Sequence, residues 1–158
     1  MKTDIKSKAL EFASKAHSGQ FRKYSKEPYV NHPIAVASIA TNTFLDEMKE
    51  GACHTDVVEY SNTLFVVALL HDTVEDCANV TIQKIEDEFG IEIAQYVEKL
   101  TKVNGESYLQ AILRANTTDV SRRVKIADLT HNISDLSNGP QRDKYQMALH
   151  ILQHHKVD

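Results

Sequence analysis

The run His71-Asp72-Thr73-Val74-Glu75-Asp76 sets one imidazole and three carboxylates directly behind the apolar segment LFVVALL. An unpaired carboxylate inside a protein is strongly disfavoured, so such groups bind a cation, pair with a basic side chain or reach water. Read as the continuation of one helix, the run places His71 and Glu75 one turn apart, and Asp72 and Asp76 likewise, giving two adjacent polar stripes. A second source of ligands is RRVKIADLTHNISDL, where Val124, Ala127 and Ile133 form an apolar seam and Asp128 and Asn132 share a face. His32, at the entrance of an earlier segment of helical length, adds a nitrogen. Two imidazoles and two carboxylates drawn from distant parts of the chain suit manganese, iron(II) or zinc better than calcium or a thiolate-seeking ion. On residue types alone a plainer account stays open, with acidic groups solvated at a helix C-terminus and a histidine hydrogen-bonded in the core. An acidic pair at that end opposes the helix macrodipole at about 0.3–1 kcal/mol per charge, which a bound cation would offset.

The elements that must position these groups read as helices. Glycines and prolines divide the chain at Gly19, Pro28, Pro33, Gly51, Gly90, Gly105 and Gly139-Pro140, with few hairpin signals between them. Residues 4–18 carry Ile5, Ala9, Phe12, Ala13 and Ala16 at amphipathic spacing. A polar loop, GQFRKYSKEPYVNHP, precedes a second helix that starts at Pro33 and runs to about residue 49. From about Asp56 to Asp76 the pattern is apolar on every side, the mark of a helix buried at the centre of a bundle. Its β-branched residues also suit a strand, but no second strand-like run exists to pair with it. Thr81–Glu88 and Glu92–Leu100 predict two shorter helices, residues 107–136 one or two more, and Pro140–His154 a last one. No repeat or linker interrupts the chain, which predicts an all-α, compact, single-domain helical bundle over residues 1–158.

A chain of this length can bury about 70% of the surface exposed when unfolded, enough for its own core. Hydrophobic residues at 42% and charged residues at 25% are ordinary for a globular protein and suggest neither disorder nor a fibrous class. The formal net charge of −4 disfavours nucleic acid as a partner. No run approaches about 18 consecutive apolar residues, and the first residues lack the apolar stretch of a signal peptide, so no membrane partner is expected and the cytoplasm is the expected location. Cys53 and Cys77 lie outside any C-x-x-C spacing and read as reduced structural thiols. The basic pairs Arg22-Lys23 and Arg122-Arg123 could meet a small phosphorylated ligand or simply face solvent. Near the C-terminus His150 and His154 stand one turn apart with His155 beside them, a spacing that could hold a second metal but reads as solvated surface. Oligomeric state leaves no mark in the sequence.

Four landmarks, AHSGQFRKYSKEPYVNHPIAVASI, ALLHDTVED, the segment from Thr81 to Gly90 and KIADLTHN, stand in an order and spacing that resemble the HD superfamily. Within it, the chain is similar to the RelA/SpoT-type guanosine alarmone hydrolases over most of its length. The resemblance implies a helical bundle of the HD type, metal ligands at His32, His71, Asp72 and Asp128, and an acidic pair beside the metal at Glu75 and Asp76. It implies one divalent ion, manganese first, with iron(II) or zinc as alternatives. Arg22 and Lys23 match loop residues that approach the nucleotide, and Asn132 matches a residue on the ribose and phosphate side. Arg142 and Tyr145 match, at slightly different spacing, a substrate-contacting pair on the last helix, while Tyr29 is expected to pack in its loop.

The activity so implied is hydrolysis of the ribose 3′-pyrophosphate of a guanosine alarmone, ppGpp giving GDP and pyrophosphate, with Glu75 managing the proton and Asp76 orienting water or Glu75. Departures from the family pattern fall on the substrate side: Leu129 where an arginine is usual, Ser134 where another is, and Tyr24-Ser25-Lys26 in the loop. They leave two alternatives open, an HD phosphohydrolase of another nucleotide such as a nucleoside monophosphate, and a metal-containing nucleotide-binding module without turnover.

Overall fold

The computed structural model describes residues 4–48 and 53–155, so the expected break at Gly51, the expected helix end near residue 49 and both extreme termini lie outside the described residues. Nine helices fill the described residues: α1 Ile5–Ala16, α2 Asn31–Glu47, α3 His54–Leu70, α4 Thr73–Asp76, α5 Ile82–Phe89, α6 Ile91–Leu100, α7 Tyr108–Ala115, α8 Asp119–Ser134 and α9 Pro140–His154. Among those residues the only extended pairing is one isolated bridge between Phe21 and Pro28. The all-α expectation holds. No described helix is long and apolar enough to cross a membrane.

Local chemistry explains most of the boundaries. Thr81, Ser107 and Thr118 cap α5, α7 and α8, each accepting a backbone N–H with its hydroxyl, and Ser107 with Gln110 completes a capping box. Gly90 separates α5 from α6 at φ +91°, a value that a residue with a side chain rarely adopts. Pro140 opens α9, where its missing N–H costs no helical bond.

One boundary differs from expectation. The central helix α3 ends at Leu70, and His71 and Asp72 form a turn before the short α4. Both keep right-handed helical angles, so the chain changes direction without glycine or proline. The Thr73 hydroxyl donates to the Leu70 carbonyl at 2.7 Å, competing for an acceptor at the end of α3. The i,i+4 link between Asp72 and Asp76 survives the break, as the Asp76 N–H donates to the Asp72 carbonyl at 2.9 Å.

α3 lies at the centre. Leu64 and the continuous run Val66 to Leu70 are fully buried, packed with Val36, Ala37 and Ala40 of α2, Ala9 and Ala13 of α1, and residues of α5, α6 and α8. A second, smaller cluster joins Ile112 of α7, Leu129 of α8, and Ala148 and Leu152 of α9. Helix α8 belongs to both, giving Val124 and Ala127 to the first and Leu129 to the second, with Asp128 between them. Of the two thiols, Cys77 is buried while Cys53, expected to be structural, stands exposed at the start of α3.

Leu64→Ala leaves a cavity at the centre and should cost about 2–5 kcal/mol. Val58→Ala on the exposed side of the same helix should stay within about 0.5 kcal/mol. Urea unfolding of the two variants checks this placement of the core, and equal losses would contradict it.

Candidate metal centre

Two helices and one turn bring four side chains together. His32 is the second residue of α2, in a first turn set by Pro33; His71 and Asp72 sit in the turn after α3; Asp128 is carried by the middle of α8. His32 Nε2 lies 3.1 Å from Asp128 Oδ1 and 3.5 Å from Asp72 Oδ2. His71 Nε2 lies 3.1 Å from Asp72 Oδ2 and 3.7 Å from Asp128 Oδ1. Ligand atoms of His32, His71 and Asp128 all fall within 4.8 Å of one another, a spacing one ion can bridge. His32, His71 and Asp128 are buried, and Asp72 is half-buried.

Each of the four is oriented from outside the cluster. His71 donates from Nδ1 to the Ala68 carbonyl at 2.7 Å, and Tyr29 donates its hydroxyl to Asp72 Oδ2 at 2.8 Å. Asp128 accepts from Asn132 Nδ2 on one oxygen at 2.6 Å and from Lys125 Nζ on the other at 2.7 Å. His32 Nδ1 meets Nδ1 of His131 at 2.8 Å. The buried His71 Nε2 is left without a hydrogen-bond partner of its own, although carboxylate oxygens flank it. A buried ring nitrogen aimed between two carboxylates, with no hydrogen-bond partner of its own, fits a place where a cation can be held.

The electrostatics point the same way. Burial disfavours charge on the His71 imidazole, but Asp72 and Asp128 outweigh it and push its pKa up to about 10. Burial likewise works against the Asp128 and Asp72 carboxylates; Lys125 and the two histidines overcome it for Asp128, and His71 with His32 for Asp72, so both lie well below the usual range. Burial pushes the Tyr29 phenol far up, and Asp72 and Asp76 add to the shift, so it stays a donor. Asp76 is raised, first by burial and then by Asp72 and Glu75, with Tyr29 partly offsetting them. Burial lowers His131, helped by His32 and Arg22.

His32, Asp72 and Asp128 of the cluster line the floor of a cavity of about 580 Å³. Glu75 and Asp76 of α4 stand on its wall, Glu75 accepting the Lys102 N–H at 3.1 Å. Lys102, Lys125 and Lys144 also line it. Tyr29, Asn132 and Tyr145 separate it from a second recess of about 400 Å³, where Arg22 and Lys23 lie. Arg22 donates to Asn132 Oδ1 at 3.0 Å and Asp135 Oδ2 at 2.6 Å. Nine of the eleven residues singled out in the sequence line these two cavities, and His71 packs behind the larger one against Asp72 and Asp128.

Arg142 stands apart from both cavities. It donates to the Ile133 and Leu136 carbonyls at 2.9 and 2.7 Å, where the free carbonyls at the end of α8 attract a cation, and lines neither cavity. The cation that α9 turns to the larger cavity is Lys144, whose Nζ sits 3.9 Å over the Tyr108 ring. Tyr29, Lys125 and His131 also escaped the sequence reading in these roles. Lys125 carried a signal, standing three residues before Asp128 on one helix face. Leu129 packs into the second apolar cluster, and Ser134 turns back to donate to the His131 carbonyl at 2.6 Å.

Comparison with known proteins agrees with this architecture. Residues 9–153 match the family model described as HD domain. The chain is 36% identical over 138 residues to a guanosine-3′,5′-bis(diphosphate) 3′-pyrophosphohydrolase of Haemophilus influenzae, covering 80% of this chain and 18% of that one. It is 31% identical over 163 residues to a GTP pyrophosphokinase of Myxococcus xanthus, covering 94% of this chain and 19% of that one. The chain thus spans less than a fifth of the length of these curated relatives. A solved structure of a metazoan ortholog of SpoT, described as hydrolysing ppGpp, superposes with a TM-score of 0.72 at 22% identity, covering 99% of this chain and 89% of that one.

A raised His71 pKa means that its contribution to stability is fully present below its ordinary value of 6.5 and is lost as pH rises through about 10. An ion bound to Nε2 must displace that proton, so saturation with manganese at pH 8 should release about one proton per site. An indicator dye in weak buffer measures it, and metal binding without proton release would contradict the protonated His71.

Proposed function

This chain belongs to the HD domain family, and we propose that it is a metal-dependent phosphohydrolase that removes the 3′-pyrophosphate of a guanosine alarmone, converting ppGpp and water to GDP and pyrophosphate. One observation carries the reading: two imidazoles and two carboxylates converge at the base of a cavity lined by His32, Asp72, Asp128 and three lysines. A floor built for a cation under a basic wall suits a ligand rich in phosphate. The 3′-pyrophosphohydrolase name of the Haemophilus relative supports the choice of substrate. We take residues 1–158 as one catalytic unit, acting in the cytoplasm.

In this proposal His32, His71, Asp72 and Asp128 hold the ion, manganese first, with iron(II) or zinc as alternatives. A bound divalent ion acidifies water and polarises a phosphoryl oxygen. Water attacks the phosphorus attached to the ribose 3′ oxygen, the bond from that oxygen to phosphorus breaks, and the 3′ oxygen becomes a hydroxyl with the proton that Glu75 takes from the water. Glu75 takes the water proton, its carboxylate held toward the cavity by the Lys102 N–H, and Asp76 orients the water from the neighbouring position. Lys144 and Lys102 neutralise phosphate charge from the wall, with Tyr145 beside them. Arg22 and Lys23, in the adjoining recess, meet the nucleoside end, and Asn132 offers a neutral amide between the two spaces.

Asp72→Ala and Asp128→Ala should lose both metal and turnover, whereas Glu75→Ala should keep metal and lose turnover. Metal analysis with a substrate panel tests this, and pyrophosphate rather than orthophosphate is the expected product. Orthophosphate from a nucleoside monophosphate would favour the other nucleotide reading, and binding without turnover in added manganese the non-catalytic one. Lys144→Ala should raise KM with kcat little changed. Arg142→Ala should leave KM alone and lower stability by about 1–3 kcal/mol through the carbonyls it frees. The reverse pattern in the two variants would place the substrate-facing cation back at Arg142.

A further inference from the structure

His32 and His71 turn their Nε2 atoms to the same two carboxylates, and imidazole chemistry then dictates the other ring nitrogen. A neutral imidazole that offers a lone pair from Nε2 carries its hydrogen on Nδ1, and a buried N–H needs an acceptor. For His71 that acceptor is the Ala68 carbonyl on its own helix, 2.7 Å away. For His32, only 1% exposed, the group 2.8 Å from Nδ1 is Nδ1 of His131. The two rings face each other with centroids 5.0 Å apart and planes tilted by 38°.

We infer that His131 is a positioning residue for the ion: its unprotonated Nδ1 accepts the His32 Nδ1–H, which fixes the His32 tautomer and aims Nε2 at the space between Asp72 and Asp128. The inference rests on the metal centre proposed above. Asp128, His131 and Asn132 stand three and four residues apart on α8, so they share one face. That single face supplies a ligand, the amide that holds its Oδ1, and the ring that orients the histidine from α2. An imidazole can accept this hydrogen bond without bringing a negative charge. A carboxylate in its place would add another negative charge to a cluster where two already oppose each other.

The test is manganese affinity of the whole chain, measured by titration with the metal alone. His131→Leu, which removes the acceptor, should weaken binding about 10–100-fold. His131→Asn, whose amide oxygen can replace Nδ1, should largely restore it. A role in packing alone would leave Asn as weak as Leu, or lower the thermal midpoint of the metal-free protein without changing affinity, and either result overturns the inference. Imidazole NMR of zinc-loaded protein reads the hydrogen bond directly. His32 should carry its hydrogen on Nδ1, bonded to His131, and a hydrogen on Nε2 would refute the proposal even in protein that binds metal. Failure of the wild-type protein to take any ion would refute the centre itself, which separates the two failures.

Discussion

Two carboxylates held against the same pair of buried imidazoles are the constraint around which this molecule is organised. Asp72 and Asp128 come from segments 56 residues apart, and each loses hydration where it stands. Their charge has to be answered locally, and the answers are visible: Lys125 and Asn132 on Asp128, Tyr29 on Asp72, and the Nε2 atoms of His32 and His71 between them. Removing any one of these would leave a charge or a donor stranded in a region with little water. The site is therefore a part of the packing problem that the fold solves, as well as a place for chemistry.

Helix α8 is the element that makes the solution rigid. Its neighbours Ala127 and Leu129 enter different apolar clusters, so Asp128 is pinned from both sides. α3 does the corresponding work for the histidine and aspartate that follow it, since its apolar run is enclosed on all sides before the chain turns at His71. The short α4 then projects Glu75 and Asp76 over the cavity, with Asp76 still tied to Asp72 through its backbone. Rigid helices below and a short helical turn above match what catalysis by positioned groups demands.

The helices were legible because amphipathic spacing, capping residues and glycine punctuation are local properties: α9 begins and ends where Pro140 and His154 predict, and α5 and α6 divide at Gly90. The gathering of His32, His71, Asp72 and Asp128 was legible because few other arguments account for acidic groups behind a wholly apolar helix. The end of α3 was not, since His71 and Asp72 turn the chain while keeping helical angles, and no residue type announces that. The partners of Arg142 were not legible because the carbonyls that hold it belong to a different helix end. Tyr29 and His131 were invisible in these roles because each acts on a ligand far away in sequence, His131 across 99 positions.

Arg22 bridges Asn132 and Asp135 from a loop 110 positions earlier, with its guanidinium 5.9 Å from the Tyr29 ring. A long, rotamer-rich side chain is thereby frozen before any guest arrives. Its conformational entropy is surrendered during folding, so an incoming molecule does not have to arrest it. A guest taken up in this recess would meet the shape of a fixed rim, which rejects poor fits instead of moulding itself to them.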